Sequence, residues 1–149
     1  MLKVLIADDE EKICQLIIKL INWEEMGLKI AATASNGIEA LEQAEICKPE
    51  ILITDIRMPG IDGMELIRKV KEKLPDTEII IISGYRHFEY AQTAIRYGVR
   101  NYLLKPIKKE ELRDILQKIA DIYREKNEQL NFEERVRLAL KNDAGKLRT

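Results

Sequence analysis

Five polar side chains punctuate a series of short apolar runs. "LKVLIADDE" (2–10) closes its run on Asp8 and Asp9. "ILITDIRMPGIDG" (51–63) drops Asp55 directly after a buried-looking segment. "TEIIIIS" (77–83) ends on Ser83, and "NYLLKP" (101–106) ends on Lys105 before Pro106. A carboxylate at the end of a buried strand is costly unless something neutralises it. If the first and third strands are neighbours, Asp8, Asp9 and Asp55 converge. Three crowded carboxylates repel, and one takes up a proton unless a cation is present. Few carboxylates, an open coordination shell and an expected phosphate partner favour Mg²⁺ over Ca²⁺. Lys105 adds a positive charge and Ser83 a hydroxyl donor. The set fits phosphoryl transfer to a carboxylate, with the metal and the lysine offsetting the charge on the transferring group. Each residue alone has a plainer reading, as a helix-capping acid pair, a loop lysine or a strand-end serine. The weight comes from their shared placement at the carboxyl ends of strands, where open α/β sheets collect ligands.

The elements that must hold these residues alternate between two periods. Strands are read at 2–7, 28–34, 50–54, 77–83 and 101–105. Between them lie helical stripes of three- and four-residue spacing. Ile13, Leu16, Ile17, Leu20 and Ile21 mark the first, and Ala40, Leu41 and Ala44 the second. Leu66, Ile67, Val70 and Leu74 mark the third, with Asp62 as its N-cap and Glu65 three residues on. Phe88, Ala91, Ala94 and Ile95 mark the fourth, ended by Gly98, and Leu112, Ile115, Leu116 and Ile119 the fifth. Strands one, three and four are too apolar to leave one face wet, so helices should cover both faces of a parallel sheet.

The chain has 149 residues, a length that suits one domain with an appendage. A net charge of -1 makes the chain itself a poor nucleic-acid binder. Cys14 and Cys47 form no C-x-x-C pair and read as reduced, core-lining residues. No segment approaches the roughly 20 apolar residues of a membrane span, and the expected location is cytoplasmic. After about residue 120 apolar residues become sparse. Leu112, Leu116, Ile119, Tyr123 and Leu130 fall near heptad spacing with a gap at Lys126, which suits a fifth helix extended into a linker or a short coiled coil, and equally a frayed, solvated helix. The last residues, "KNDAGKLRT" (141–149), read as disordered.

The pieces "LIADDE" (5–10), "ILITDIRMPGIDG" (51–63), "IIISG" (80–84) and "YLLKPI" (102–107) stand in an order and spacing that resemble receiver domains of two-component response regulators. The resemblance covers about residues 1–120 and leaves 121–149 as a helical linker or tail. It implies a flavodoxin-like (βα)₅ fold, a five-stranded parallel sheet in the order 2-1-3-4-5. It also implies that Asp55 is the phosphoacceptor for a sensor histidine kinase and that Asp9 is a direct Mg²⁺ ligand. Asp8 would act through water or by positioning the metal, and Arg57 would contribute its backbone carbonyl. Ser83 and Lys105 would bind the phosphoryl group, and Tyr102 would be an aromatic switch. Lys105–Pro106 would be a cis bond. Such a domain catalyses its own phosphorylation and slow dephosphorylation but is no turnover enzyme. On phosphorylation it changes the face formed by its fourth helix, fifth strand and fifth helix, through which it pairs with a second copy.

"INWEEMGLKIAATASNGIEAL" (21–41) and "SGYRHFEYAQTAIRYGVRNYLLKPI" (83–107), with Tyr85, Phe88 and Tyr90, resemble receivers that precede AraC-type helix-turn-helix output domains. The tail is too short to hold such an output domain, so DNA binding and transcriptional control are expected only through a domain outside this chain. His87, the one histidine, reads as an exposed helix residue rather than a relay site. Two other readings compete. A haloacid-dehalogenase-like phosphatase would want a second acid two residues after its nucleophile, where Arg57 stands. A pure interaction module would not need the complete acidic set.

Overall fold

A computed structural model describes residues 1–84 and 88–147 of the chain. Five strands, β1 (Leu2–Ala7), β2 (Leu28–Ala34), β3 (Ile51–Asp55), β4 (Glu78–Ser83) and β5 (Asn101–Leu104), alternate with five helices. These are α1 (Glu11–Leu20), α2 (Gly37–Cys47), α3 (Gly63–Lys73), α4 (Phe88–Arg96) and α5 (Lys109–Leu147). All strand pairs are parallel, in the order β2-β1-β3-β4-β5. The expected order therefore holds, and β1 and β3 are neighbours. Register places Ala7 opposite Thr54 and Asp55 opposite Ile82, so the strand ends carrying polar residues finish at one level.

The run Ile79–Ile82 explains why both faces must be covered. Ile80 and Ile82 pack with α1 and α5, against Ile17, Leu112, Leu116 and Ile119. Ile79 and Ile81 point the other way, against Ala40, Ala44, Leu66, Ile67 and Val70 of α2 and α3. Each buried aliphatic side chain contributes about 1.5–3 kcal/mol of transfer free energy. Among the described side chains, two members of the expected stripes lie outside this packing. Leu16 and Ile95 are exposed, because Cys14 and Ile17 on α1, and Ala94 on α4, already define the inward faces.

Helix boundaries follow local chemistry. The Asn36 side chain accepts from Glu39 N–H at 2.8 Å, and Asp62 accepts from Glu65 N–H at 2.9 Å, the N-cap expected for α3. A short 3₁₀ turn, Glu24–Met26, went unread in the sequence. It precedes β2, with the Trp23 indole N–H donating to Ile18 O at 3.0 Å. The largest departure is at the C-terminus: α5 is one helix of 39 residues, and the segment read as disordered from 141 is helical through Leu147. Elongation onto an existing helix lacks the cost of nucleation, so polar residues of fair propensity can follow. Of the earlier expectations, those for Tyr85, His87 and residues 148–149 lie outside the described residues, as do the side chains of Phe88 and Ala91.

Candidate functional site at the carboxyl edge of the sheet

Three strand ends and two loops meet at the carboxyl edge of β1, β3 and β4. Carboxylate oxygens of Asp8, Asp9 and Asp55 lie within 4.8 Å of one another. Asp8 is buried at 2% exposure, Asp55 is half-buried and Asp9 is exposed, so the cluster opens outward. Lys105, entering from the end of β5, places Nζ 3.2 Å from Asp55 Oδ2 and 3.3 Å from Asp8 Oδ2. Its backbone N–H donates to Ser83 O at 2.8 Å, which ties the lysine to the end of β4. The Lys105–Pro106 bond is cis, as expected.

The backbone fixes both Asp8 and Asp55. Asp8 Oδ1 accepts from Glu10 N–H at 2.9 Å, and Asp55 Oδ1 accepts from Ile56 N–H at 2.7 Å. The remaining oxygen of each is the one that meets Lys105. Burial pushes the Asp8 carboxyl above its ordinary range, and the Asp55 charge adds to this. The Glu10 hydrogen bond and Lys105 pull it down less strongly. Lys105 is itself partly desolvated, which lowers its pKa, but attraction to Asp55 and Asp8 more than reverses that and holds its ammonium above the usual range. The two rises are compatible, because one cation is shared between two acids and satisfies neither in full.

The loop after β3 is held by close backbone contact. A Cβ on Gly63 would stand 2.3 Å from Asp55 O and 2.7 Å from Ile56 Cα, so only glycine lets α3 start this near the acid. Gly63 N–H donates to Ile56 O at 2.6 Å across the same gap. Gly37 plays the equivalent part for α2, where a Cβ would meet Ile61 O at 1.9 Å. Arg57, in this loop, has an exposed side chain. Ser83 is buried at the end of β4, and Tyr102, half-buried on β5, packs with the α2–α3 side of the core.

Asp8, Asp9, Asp55 and Lys105 thus meet at one edge, with Ser83 tied to it through the Lys105 N–H. The sequence reading missed the close backbone approach at Gly63 and Gly37, since their "DG" and "NG" contexts signal helix starts but not tertiary contact. Burial pushes the thiol pKa values of Cys14 and Cys47 up, and both are free. The donor set is hard oxygen with a net surplus of negative charge, which suits a hard divalent cation.

This fold, with an acid cluster and a lysine at the switch-point edge, defines a class of α/β signalling domains. Residues 4–117 match the response regulator receiver domain family, and the chain belongs to it. Receiver domains of this family typically bind Mg²⁺, partner with histidine kinases and are generally not turnover enzymes. The chain is 40% identical over 139 residues to the uncharacterized transcriptional regulatory protein YesN of Bacillus subtilis, covering 89% of this chain and 38% of that protein. It is 38% identical over 120 residues to the transcriptional regulatory protein HptR of Staphylococcus aureus, covering 80% of this chain and 47% of HptR. The chain therefore spans less than half the length of these relatives. Among solved structures, the REC domain of AraT, a response regulator from Geobacillus stearothermophilus, superposes with a TM-score of 0.80 at 41% identity, over 85% of this chain and 98% of that one. A two component transcriptional regulator AraC from Clostridium phytofermentans gives 0.75 at 36% identity, over 81% and 94%. Among the described residues, no helix is long and apolar enough to cross a membrane.

Proposed function

We propose that residues 1–120 form a phosphorylation switch in which Asp55 accepts a phosphoryl group from the phosphohistidine of a sensor kinase. The observation that carries this reading is the meeting of Asp8, Asp9 and Asp55 within 4.8 Å, with Lys105 contacting two of them. An Asp55 carboxylate oxygen attacks phosphorus in line. A P–O bond forms as the P–N bond to histidine breaks, and the imidazole leaves with the bonding pair. Asp9 and Asp55, with the backbone carbonyl of Arg57, would hold Mg²⁺, and Asp8 would position it. The ion supplies electrostatic stabilisation of the transferring oxygens. Lys105 supplies the fixed positive charge, and Ser83 the hydroxyl that meets the new phosphoryl oxygens.

The product adds about one to two negative charges at the strand end. Lys105 then follows the phosphoryl group, Ser83 turns toward it, and Tyr102 moves with Ser83. Water later hydrolyses the acyl phosphate. The face made by α4, β5 and α5 changes its preference for partners in a population shift. Ile95, Tyr97 and Leu104 are exposed along it, which supports pairing with a second copy. Residues 121–149 act as a linker to a DNA-binding, transcription-regulating output domain of AraC type, in the cytoplasm. The length of the relatives and the named AraC-type neighbours support this.

Incubation with Mg²⁺ and acetyl phosphate, followed by intact-mass measurement, tests the reading. One phosphoryl group should add to the wild type and none to Asp55→Asn. Equal labelling of both proteins, or of neither, overturns it.

A further inference from the structure

Helix α5 changes character at one residue. Leu112, Leu116, Ile119 and Ala120 are buried against the sheet, and Tyr123 is half-buried in the same cluster. From Arg124 to Lys141 every residue is exposed, yet the helix continues unbroken through Leu147. Tyr123 is therefore the last packed residue before the extension. Its hydroxyl lies 2.6 Å from Asp76 O and 3.3 Å from Glu50 O, and donates its one proton to the nearer. These carbonyls belong to the loops entering β4 and β3, at the pole of the sheet opposite Asp55. Both loops are anchored in turn. Glu50 O also accepts from Glu78 N–H at 2.9 Å, and Glu50 N–H donates to Lys3 O at 3.0 Å. The Thr77 hydroxyl donates to Pro49 O at 2.8 Å, joining one loop to the other. The Lys126 ammonium lies 5.7 Å from the Tyr123 ring centre, one turn into the extension.

We propose that Tyr123 is a positioning residue that clasps α5 to the amino-terminal edge of the sheet and makes the extension a rigid continuation of the receiver. A phenol suits the task because carbonyl oxygens can only accept. The ring spans the distance from the helix, and the hydroxyl fixes the angle. Phenylalanine would fill the same space and lose only the angular restraint. The output role of the extension rests on the proposed function, but the clasp does not.

The test is a distance distribution between nitroxides at Glu72→Cys on α3 and Arg137→Cys on the extension, in the full chain with Cys14→Ala and Cys47→Ser. The sample is diluted with unlabelled protein to suppress distances between copies. The Tyr123 protein should give one narrow distribution. Tyr123→Phe should broaden it at least twofold, with Asp55 phosphorylation by acetyl phosphate unchanged within twofold. Equal widths overturn the clasp. A failure of Asp55 to take phosphate would overturn the proposed function and leave the width comparison standing by itself.

Discussion

Lys105 Nζ lies 3.2 Å from Asp55 Oδ2 and shares its charge with Asp8 at 3.3 Å. One cation bridging the ends of β1 and β3 stops the two acids from pushing apart. Removing it leaves both negative groups without that cation. Lys105→Ala should slow phosphorylation of Asp55 by at least about tenfold, as loss of one preorganised donor does elsewhere. Lys105→Arg should restore it only in part, since a planar guanidinium does not reproduce a point charge between two carboxylates. Rates of mass gain with acetyl phosphate measure this, and an unchanged rate in the alanine variant contradicts it.

The Asp8 charge would serve a divalent ion at the expense of the metal-free protein. Its carboxyl is raised by burial first and by the Asp55 charge second. A folded-state pKa above the unfolded one contributes stability that is full below the unfolded value and fades as pH rises through the folded one. Above the folded-state pKa, without a divalent ion, that contribution is gone. Asp8→Asn should therefore raise the melting temperature of the metal-free protein by about 2–4 °C for each kcal/mol relieved. Mg²⁺ should raise the melting temperature of the wild type more than that of the variant. Thermal scans with Mg²⁺ and with chelator decide both points.

Gly63→Ala places a methyl group 2.3 Å from Asp55 O, where backbone rather than a flexible side chain must yield. Overpacking of this kind costs roughly 1–3 kcal/mol. Urea titration should reveal that loss, and phosphorylation should fall with it, because the atom displaced belongs to Asp55 itself. A variant with normal stability and normal labelling would show that α3 can back away freely.

The Tyr123 phenol is pushed up to about 12, by burial first and then by Glu78, Glu50 and Asp76. Its preference for the neutral form stabilises the fold fully below the ordinary phenol range, near pH 10, and is lost as pH rises through about 12. Near-ultraviolet titration of the wild type minus Tyr123→Phe should isolate a tyrosine that ionises later than a free phenol. A difference curve centred at the free value would remove the burial argument.

The strand ends were legible because β-branched runs such as "IIII" leave little choice of period, and the polar residue that ends each run marks the carboxyl edge. Their meeting was not. Strand order came from resemblance, since spacing alone leaves open which strands are neighbours. Gly63 and Gly37 escaped for the same reason: a close approach involves a partner distant in sequence. The tail misled by composition. "KNDAGK" reads as polar and Gly-broken, whereas helix needs only a preceding turn to extend from. Tyr123 was noticed as a near-heptad position, but its hydroxyl contacts lie with residues 47 and 73 positions away and could not be read from a stripe.

Residues 124–147 of α5 extend roughly 36 Å past the last packed side chain at 1.5 Å per residue. That length sets a mechanical gain. A tilt of about 10° at the root carries the tip about 6 Å sideways, farther than the strand-to-strand spacing of a sheet. The arm also has a phase. Each residue inserted turns whatever follows by about 100° and advances it by about 1.5 Å, so one added residue misdirects the tip while seven nearly restore its bearing. A receiver carrying such an arm would report its state as an angle, and the length of the arm would calibrate the reading.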